Sequence, residues 1–276
     1  MNLKRFENNI KSQFGEDGVI KEIFERIGTQ NEICVEFGAW DGIHYSNTWN
    51  LWHNLNWTSY LIEGDTEKVK ILKENTFSFP KVTAINKYVM PEGKDSLDNI
   101  LSQYQIPQNF DLLSIDIDSD DYYVLENLTK YSPRLILIEY NPTIPLYLDV
   151  VQKPGEYFGC SALALFNLAT KLKYKLAHMT DSNMILVRED DFPRLNIEVD
   201  LQKIFPVKYL TNVITSYDGR ALLTQLPIYM GDLKINEVKK EKRIDKSKKT
   251  LDSSNNLINF ISKTELIQVS IFKKEG

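Results

Sequence analysis

The chain has 276 residues, of which 42% are hydrophobic and 26% charged, and a formal net charge of −5. This size suits one substantial α/β domain plus an appendage, and the negative balance argues against a nucleic-acid binder, which needs a basic face for phosphates. The opening Met-Asn-Leu-Lys-Arg-Phe-Glu-Asn-Asn is too polar for a signal peptide, and no apolar run approaches the roughly 20 residues of a spanning helix.

Cys34 and Cys160, the two cysteines, lie in apolar stretches and read as buried thiols of a reducing, cytoplasmic setting. His44, His53 and His178 show no zinc-like spacing.

Near the N-terminus, Ser12-Gln13-Phe14-Gly15-Glu16-Asp17-Gly18 precedes Ile20, Ile23, Phe24 and Ile27, whose spacing predicts a helix of two to three turns. The Gly-Glu-Asp-Gly segment reads either as the polar approach to that helix, where acids suit the dipole, or as a ligand-facing loop that presents Glu16. Ile33 to Phe37 is a short apolar run of the kind a buried parallel strand needs, and it breaks into Gly38-Ala39-Trp40-Asp41-Gly42. Ser46 is placed to cap a helix whose apolar side is Thr48, Leu51, Trp52 and Leu55. All four tryptophans fall nearby, and Trp40, inside the turn, is the one expected to touch a ligand.

Tyr60 to Ile62 predicts a second strand ending in Glu63-Gly64-Asp65, and a short helix from Thr66 leads to a third, Val82 to Ile85, closed by Asn86-Lys87. Leu97, Ile100, Leu101 and Tyr104 predict a helix that Pro107 ends. Phe110 to Ile115 is a fourth strand, followed by Asp116-Ile117-Asp118-Ser119-Asp120-Asp121, whose last two acids are expected to cap the next helix. Leu135 to Ile138 is a fifth strand running into Glu139-Tyr140-Asn141-Pro142. After a Pro/Gly/Tyr-rich crossing come one more helix and a hairpin of two strands around Asp181-Ser182-Asn183.

Five βα repeats and a terminal hairpin predict a doubly wound, mostly parallel seven-stranded sheet over residues 1–190. Residues 191–235 read as a folded appendage and expected substrate-side cover. Residues 236–276 read as a Lys-rich solvated helix or linker with a last helix or strand.

Three loops at the carboxyl ends of strands carry the functional reading: Glu36–Gly42, Glu63–Asp65 and Asp116–Asp121. The Gly-x-Gly-x-x-Gly of a dinucleotide site is absent, and Glu36 stands where it would repel a pyrophosphate. A cofactor without phosphate and with a positive sulfonium, S-adenosylmethionine, tolerates that carboxylate far better. Glu63, about one βαβ unit downstream, is placed to accept from both ribose hydroxyls.

These stretches, with Leu61-Ile62-Glu63, Ser114-Ile115-Asp116-Ile117-Asp118 and Leu137-Ile138-Glu139-Tyr140-Asn141-Pro142, resemble the FkbM-like methyltransferases of the class I, S-adenosylmethionine-dependent, Rossmann-like fold. The resemblance spans roughly residues 10–190. It implies that Glu36, Gly38, Ala39, Trp40 and Gly42 line the methionine and sulfonium end, that Glu63 and Gly64 meet ribose, and that Asn86 and Lys87 sit near adenine, with Asp116 and Glu16 also at the cofactor. Family members commonly carry Asp-x-Glu-Gly after the fourth strand, where this chain has Asp116-Ile117-Asp118-Ser119.

Methylating a hydroxyl requires removal of a proton from a group of very high pKa, by a carboxylate base or with a divalent metal. Asp116, Asp118 and Glu139 are the candidates for the base, with His44 as a secondary one, and Asp118 and Glu139 are the candidate ligands of Mg2+. The resemblance implies an O-methyltransferase acting on a sugar or glycoconjugate, such as a surface-polysaccharide or natural-product precursor. The competing readings are an NAD-type oxidoreductase and a non-catalytic binding module that keeps the fold. Tyr147, Tyr157, Phe158, Tyr209 and Tyr217 are given to packing more readily than to stacking on sugar rings.

Overall fold

The run Ile33–Phe37 forms β1, an interior strand of the seven-stranded sheet in this computed structural model. The structure describes residues 2–215, 217, 221–225, 238–241 and 266–269. Two compact units are present, Met1–Pro206 and Val207–Gly276.

In the first unit the strands are β1, β2 (Thr58–Glu63), β3 (Val82–Asn86), β4 (Leu112–Ile115), β5 (Leu135–Glu139), β6 (Tyr174–Met179) and β7 (Asn183–Arg188). Their order across the sheet is β3-β2-β1-β4-β5-β7-β6, with β7 alone antiparallel to its neighbours. This is the doubly wound, mostly parallel seven-stranded sheet that the alternation predicts. The chain winds outward from β1 to β3, then crosses back to β4, so the order reverses between β1 and β4. Ligands of open α/β sheets bind at that crevice, beyond the carboxyl ends of the strands.

The helices are α1 (Glu16–Ile27), α2 (Trp49–Asn54), α3 (Thr66–Thr76), α4 (Leu97–Gln103), α5 (Asp121–Glu126), α6 (Ala162–Lys171) and the short α7 (Leu201–Ile204). Strands β4 and β5 are buried along nearly their whole length, as near-continuous apolar runs require. One core cluster joins Val19, Ile20, Ile23, Phe24 and Ile27 of α1 to Cys34, Leu112, Leu135, Ile185, Leu195 and Ile197; a smaller one joins Ala39, Trp52, Leu61 and Leu72. Leu195 and Ile197 lie beyond the expected boundary at residue 190, yet they complete the α1 core, so the first unit extends to Pro206.

Helix α1 starts earlier than its apolar spacing predicts. Glu16 and Asp17 form its first turn and are buried, with donors from outside the helix on both Glu16 oxygens and on Asp17 Oδ2. Asp17 Oδ2 accepts from the amides of Ile10, Lys11 and Ser12 and from the Ser12 hydroxyl. Buried Arg134 holds the opposite edge of the sheet: it is 2.9 Å from both Asp111 and Asp191 and donates to the carbonyls of Ile27 and Gly28. Asp111 in turn accepts from the amides of Gln30, Asn31 and Glu32, which aims the chain into β1.

The second unit is an antiparallel sheet ordered β10-β11-β9-β8, from β8 (Val213–Thr215), β9 (Ala221–Leu223), β10 (Val238–Glu241) and β11 (Leu266–Val269). The start of the Lys-rich stretch is therefore a strand, not a solvated helix or linker, because Val238–Glu241 finds a pairing partner in Leu266–Val269. The rest of residues 242–276 lies outside the described residues.

Among the described residues, no helix is long and apolar enough to cross a membrane. Cys34 and Cys160 are free, buried thiols, and burial pushes the Cys34 thiol up to about 12.

Candidate active site

The turn after β1 meets the end of β4 at the point where strand order reverses. Gly38 has φ +74°, and a Cβ there would lie 1.5 Å from the carbonyl oxygen of Asp116. Only glycine fits, both for the left-handed backbone and for the close approach. Ala39 N then donates to Ile62 O, and Trp40, itself at φ 48°, donates its amide to Glu63 Oε2 at 2.9 Å. Glu63 Oε1 accepts from Asp65 N at 2.8 Å. Each Glu63 oxygen thus spends one lone pair on the backbone and keeps one for a further donor. Asp65 caps α3 by accepting from Glu67 N and Lys68 N.

Glu36 sits beneath this turn instead of lining it. Its Oε2 accepts from the hydroxyls of Ser46 and Thr48 at 2.6 Å each, and its Oε1 from Asn47 N at 2.8 Å. A carboxylate at the end of a buried strand takes the nearest donors, and these three lie ten to twelve residues on. Burial raises its pKa, with the Ser46 and Thr48 hydroxyls opposing that shift. Ser46 Oγ also accepts from Thr48 N and Trp49 N, so it supports the start of α2 while Thr48 occupies the cap position. Asn47 Nδ2 donates to Ser114 Oγ, tying the loop to β4.

Gly42 is likewise displaced from the expected lining. Its φ is +78° and its missing side chain makes room for Leu72 Cδ1 in the α3 core, because the loop curls inward there. Gly64 lies under the ring of Tyr88, which would stand 2.2 Å from a Cβ. Asn86 is exposed and donates to the carbonyls of Glu63 and Gly64, while Lys87 Nζ is drawn to Asp95 at 2.8 Å. That ammonium holds the Asp95 carboxyl below the usual carboxylate range.

The Trp40 ring is half exposed, 4.8 Å from the His44 ring and 5.0 Å from Lys68 Nζ. His44 is exposed and also lies against Tyr45 at 4.0 Å.

Asp116, Asp118 and Glu139 come together at the ends of β4 and β5, each with one oxygen within 4.8 Å of the others. Asp118 is the exposed member and stands at φ 59°, a conformation aspartate tolerates better than most residues. Burial, then the neighbouring Asp116, pushes Glu139 up to about 9. Burial, then Asp121, holds Asp116 well above the ordinary range.

Asp121, buried and pushed up to about 6, accepts from Ile117 N and Ser119 N and so shapes the turn that presents Asp118. Neither Asp120 nor Asp121 caps α5 through its side chain: Asp121 turns back to the loop, and Asp120 turns to Gln152 and Gly155.

Glu16 is fully buried behind the cluster. Its Oε1 accepts from Thr180 Oγ1 and Asn183 Nδ2, and its Oε2 from Phe14 N. It joins the N-terminal segment to the β6–β7 turn, because those donors meet it where Asn183 pairs with Glu139 across β5 and β7. The structure thus brings Asp116, Asp118 and Glu139 together, sets Trp40 and Glu63 on the adjacent turn, and puts Glu36, Gly42 and Glu16 into the scaffold. Sequence reasoning missed the Ser46-Asn47-Thr48 triplet; three short donors following a buried acid are the signal that marks it.

No family model matches the chain, and no curated protein sequence matches it. Among solved structures it is similar to the N-terminal domain of EvdMO1, determined in the presence of SAH and D-fucose, at 13% identity and TM-score 0.40 over 62% of this chain and 80% of that one. It is similar to a SAM-dependent methyltransferase from Aquifex aeolicus at 13% identity and TM-score 0.39, over 67% and 94% of the two chains. The CMeT domain of the citrinin polyketide synthase aligns at 12% identity and TM-score 0.43, over 63% of this chain and 51% of that one.

Proposed function

We propose that this chain is an S-adenosylmethionine-dependent O-methyltransferase, FkbM-like, acting on a hydroxyl of a sugar or glycoconjugate in a reducing, cytoplasmic setting. The observation that carries the reading is the switch point itself: a glycine turn packed on the Asp116 carbonyl, beside Glu63 with acceptor capacity to spare, and no phosphate-binding amide cradle in the sequence. The ribose hydroxyls donate to Glu63, the Trp40 ring covers the cofactor, and the acid-lined edge favours a cationic sulfonium over an anionic group.

Transfer is an in-line displacement. The acceptor oxygen attacks the methyl carbon, the carbon–sulfur bond breaks with its electron pair passing to sulfur, and the hydroxyl proton passes to a carboxylate. Asp118, the exposed acid of the cluster, takes that proton, and the raised proton affinity of buried Glu139 and Asp116 limits the repulsion around it. On the alternative route a hard divalent cation would take the place of those protons: the donor set is all oxygen and closely spaced, and Asp116, Asp118 and Glu139, deprotonated, would hold Mg2+. Such an ion supplies Lewis-acid stabilisation of the deprotonated hydroxyl.

The test is release of S-adenosylhomocysteine from S-adenosylmethionine in the presence of saccharides, with Asp118→Ala and a chelator as controls. Turnover that Asp118→Ala abolishes is expected. Turnover unchanged in that variant would remove Asp118 from the chemistry, and full activity after chelation would remove the metal.

A further inference from the structure

The segment between β5 and α6 carries large exposed rings beside the acid cluster. Tyr147 is 80% exposed, Tyr157 85% and Phe158 44%, so the two tyrosine rings are not used for packing as their sequence suggests, and Phe158 is only partly covered. Large exposed rings on a segment held in place suit an interaction surface.

The segment is fixed in place. Ser161 N donates to Val150 O, Gln152 N donates to Gly159 O, and Val151 bridges Cys160, which makes a hairpin with its tip at 153–158. Buried Gln152 gives its side-chain amide to the hairpin: Nε2 donates to Glu156 O and Asp120 Oδ1, and Oε1 accepts from Phe158 N and Gly159 N. Asp120 also accepts from Gly155 N at 2.9 Å, and the Tyr123 hydroxyl donates to Gln152 O at 2.6 Å. Asp120 is two positions from Asp118, so the hairpin is anchored to the same loop that presents the exposed acid.

Charge selects among the ligands such rings could take. Exposed Asp118 and partly exposed Asp120 make this edge acidic, and the hairpin tip adds Lys153 and Glu156, which offset one another. A field of that sign disfavours a diphosphate, whereas an aromatic face in a wet setting suits the apolar C–H face of a sugar ring.

We propose that the 150–160 hairpin is the acceptor platform, with Tyr157 and Phe158 stacking on a saccharide ring next to the one methylated, and that the acceptor is an uncharged or amino saccharide, not a nucleotide-activated sugar. This rests on the methyltransferase reading above.

The experiment presents the full chain, loaded with S-adenosylhomocysteine, to an array of neutral and amino oligosaccharides and to UDP- and dTDP-sugars. Cofactor affinity is measured in parallel by calorimetry. Saccharide binding should weaken at least about tenfold in Tyr157→Ala, with cofactor affinity unchanged, and Phe77→Ala, at an exposed ring after α3, should behave as wild type. Preference for nucleotide sugars, binding to no array member, or full binding by Tyr157→Ala would overturn the proposal. Absence of cofactor binding would instead defeat the methyltransferase reading, so the two failures are distinguishable.

Discussion

Gly38 and Asp116 are packed backbone to backbone, with a Cβ at position 38 brought to 1.5 Å from the Asp116 carbonyl oxygen. That contact joins the turn after β1 to the turn after β4, where the proposed function brings cofactor and proton acceptor together. Gly38→Ala adds both a clash with backbone and an unfavourable φ. It should cost several kcal/mol, about 3 or more, and abolish S-adenosylhomocysteine binding in whatever fraction still folds. Urea titration with calorimetry checks this; a wild-type midpoint would show that the two turns separate at little cost.

Glu36 holds its loop through two hydroxyls and one amide. Glu36→Ala leaves Ser46, Thr48 and Asn47 N without that acceptor and should destabilise the chain by about 2–4 kcal/mol. Chemical denaturation measures the loss. An unchanged midpoint would mean that the clamp contributes nothing to stability.

The carboxyl cluster ties stability to pH. Glu139 is pushed up to about 9 and Asp116 well above its ordinary value, so between about pH 4.5 and 9 the folded chain binds more protons than the unfolded one. Stability through these groups is therefore greatest at low pH and is lost as pH rises through that window. Glu139→Gln should flatten this dependence and raise the melting temperature at pH 9 by a few degrees, roughly 2–4 °C per kcal/mol. A melting temperature that climbs between pH 6 and 9 in wild type and equally in Glu139→Gln would contradict the assignment.

Arg134 lies between two carboxylates just before β5, at the other end of the strand that closes in Glu139 of the acid cluster. Arg134→Ala leaves buried Asp111 with backbone amides alone and Asp191 with Arg188 and Arg194, and should cost about 3 kcal/mol. The folded fraction should still bind S-adenosylhomocysteine with wild-type affinity, since the residue acts on the scaffold. A selective loss of affinity without loss of stability would reverse that assignment.

The strands and helices of the sheet domain follow from local signals, because each strand is a short apolar run and each helix carries its own periodicity. What escaped the sequence depends on partners brought in from a distance. Glu16 and Asp17 resemble a polar loop between two glycines until Thr180, Asn183 and the 10–12 amides supply their donors. Gly42 shares a motif with Gly38, but only the packing of Leu72 shows that it faces the core. Asp120 and Asp121 stand where helix caps stand, yet the better-placed donors are on the hairpin and on the preceding turn. The cluster of Asp116, Asp118 and Glu139 was legible because two adjacent strands each end in acids, a relation that strand order alone fixes.

The most direct measurement is a calorimetric titration of the full chain with S-adenosylhomocysteine and, separately, with NAD. The account predicts saturable binding of S-adenosylhomocysteine, weakened at least about tenfold in Glu63→Gln, and no heat with NAD. Binding of NAD without S-adenosylhomocysteine, or an affinity indifferent to Glu63, would contradict it.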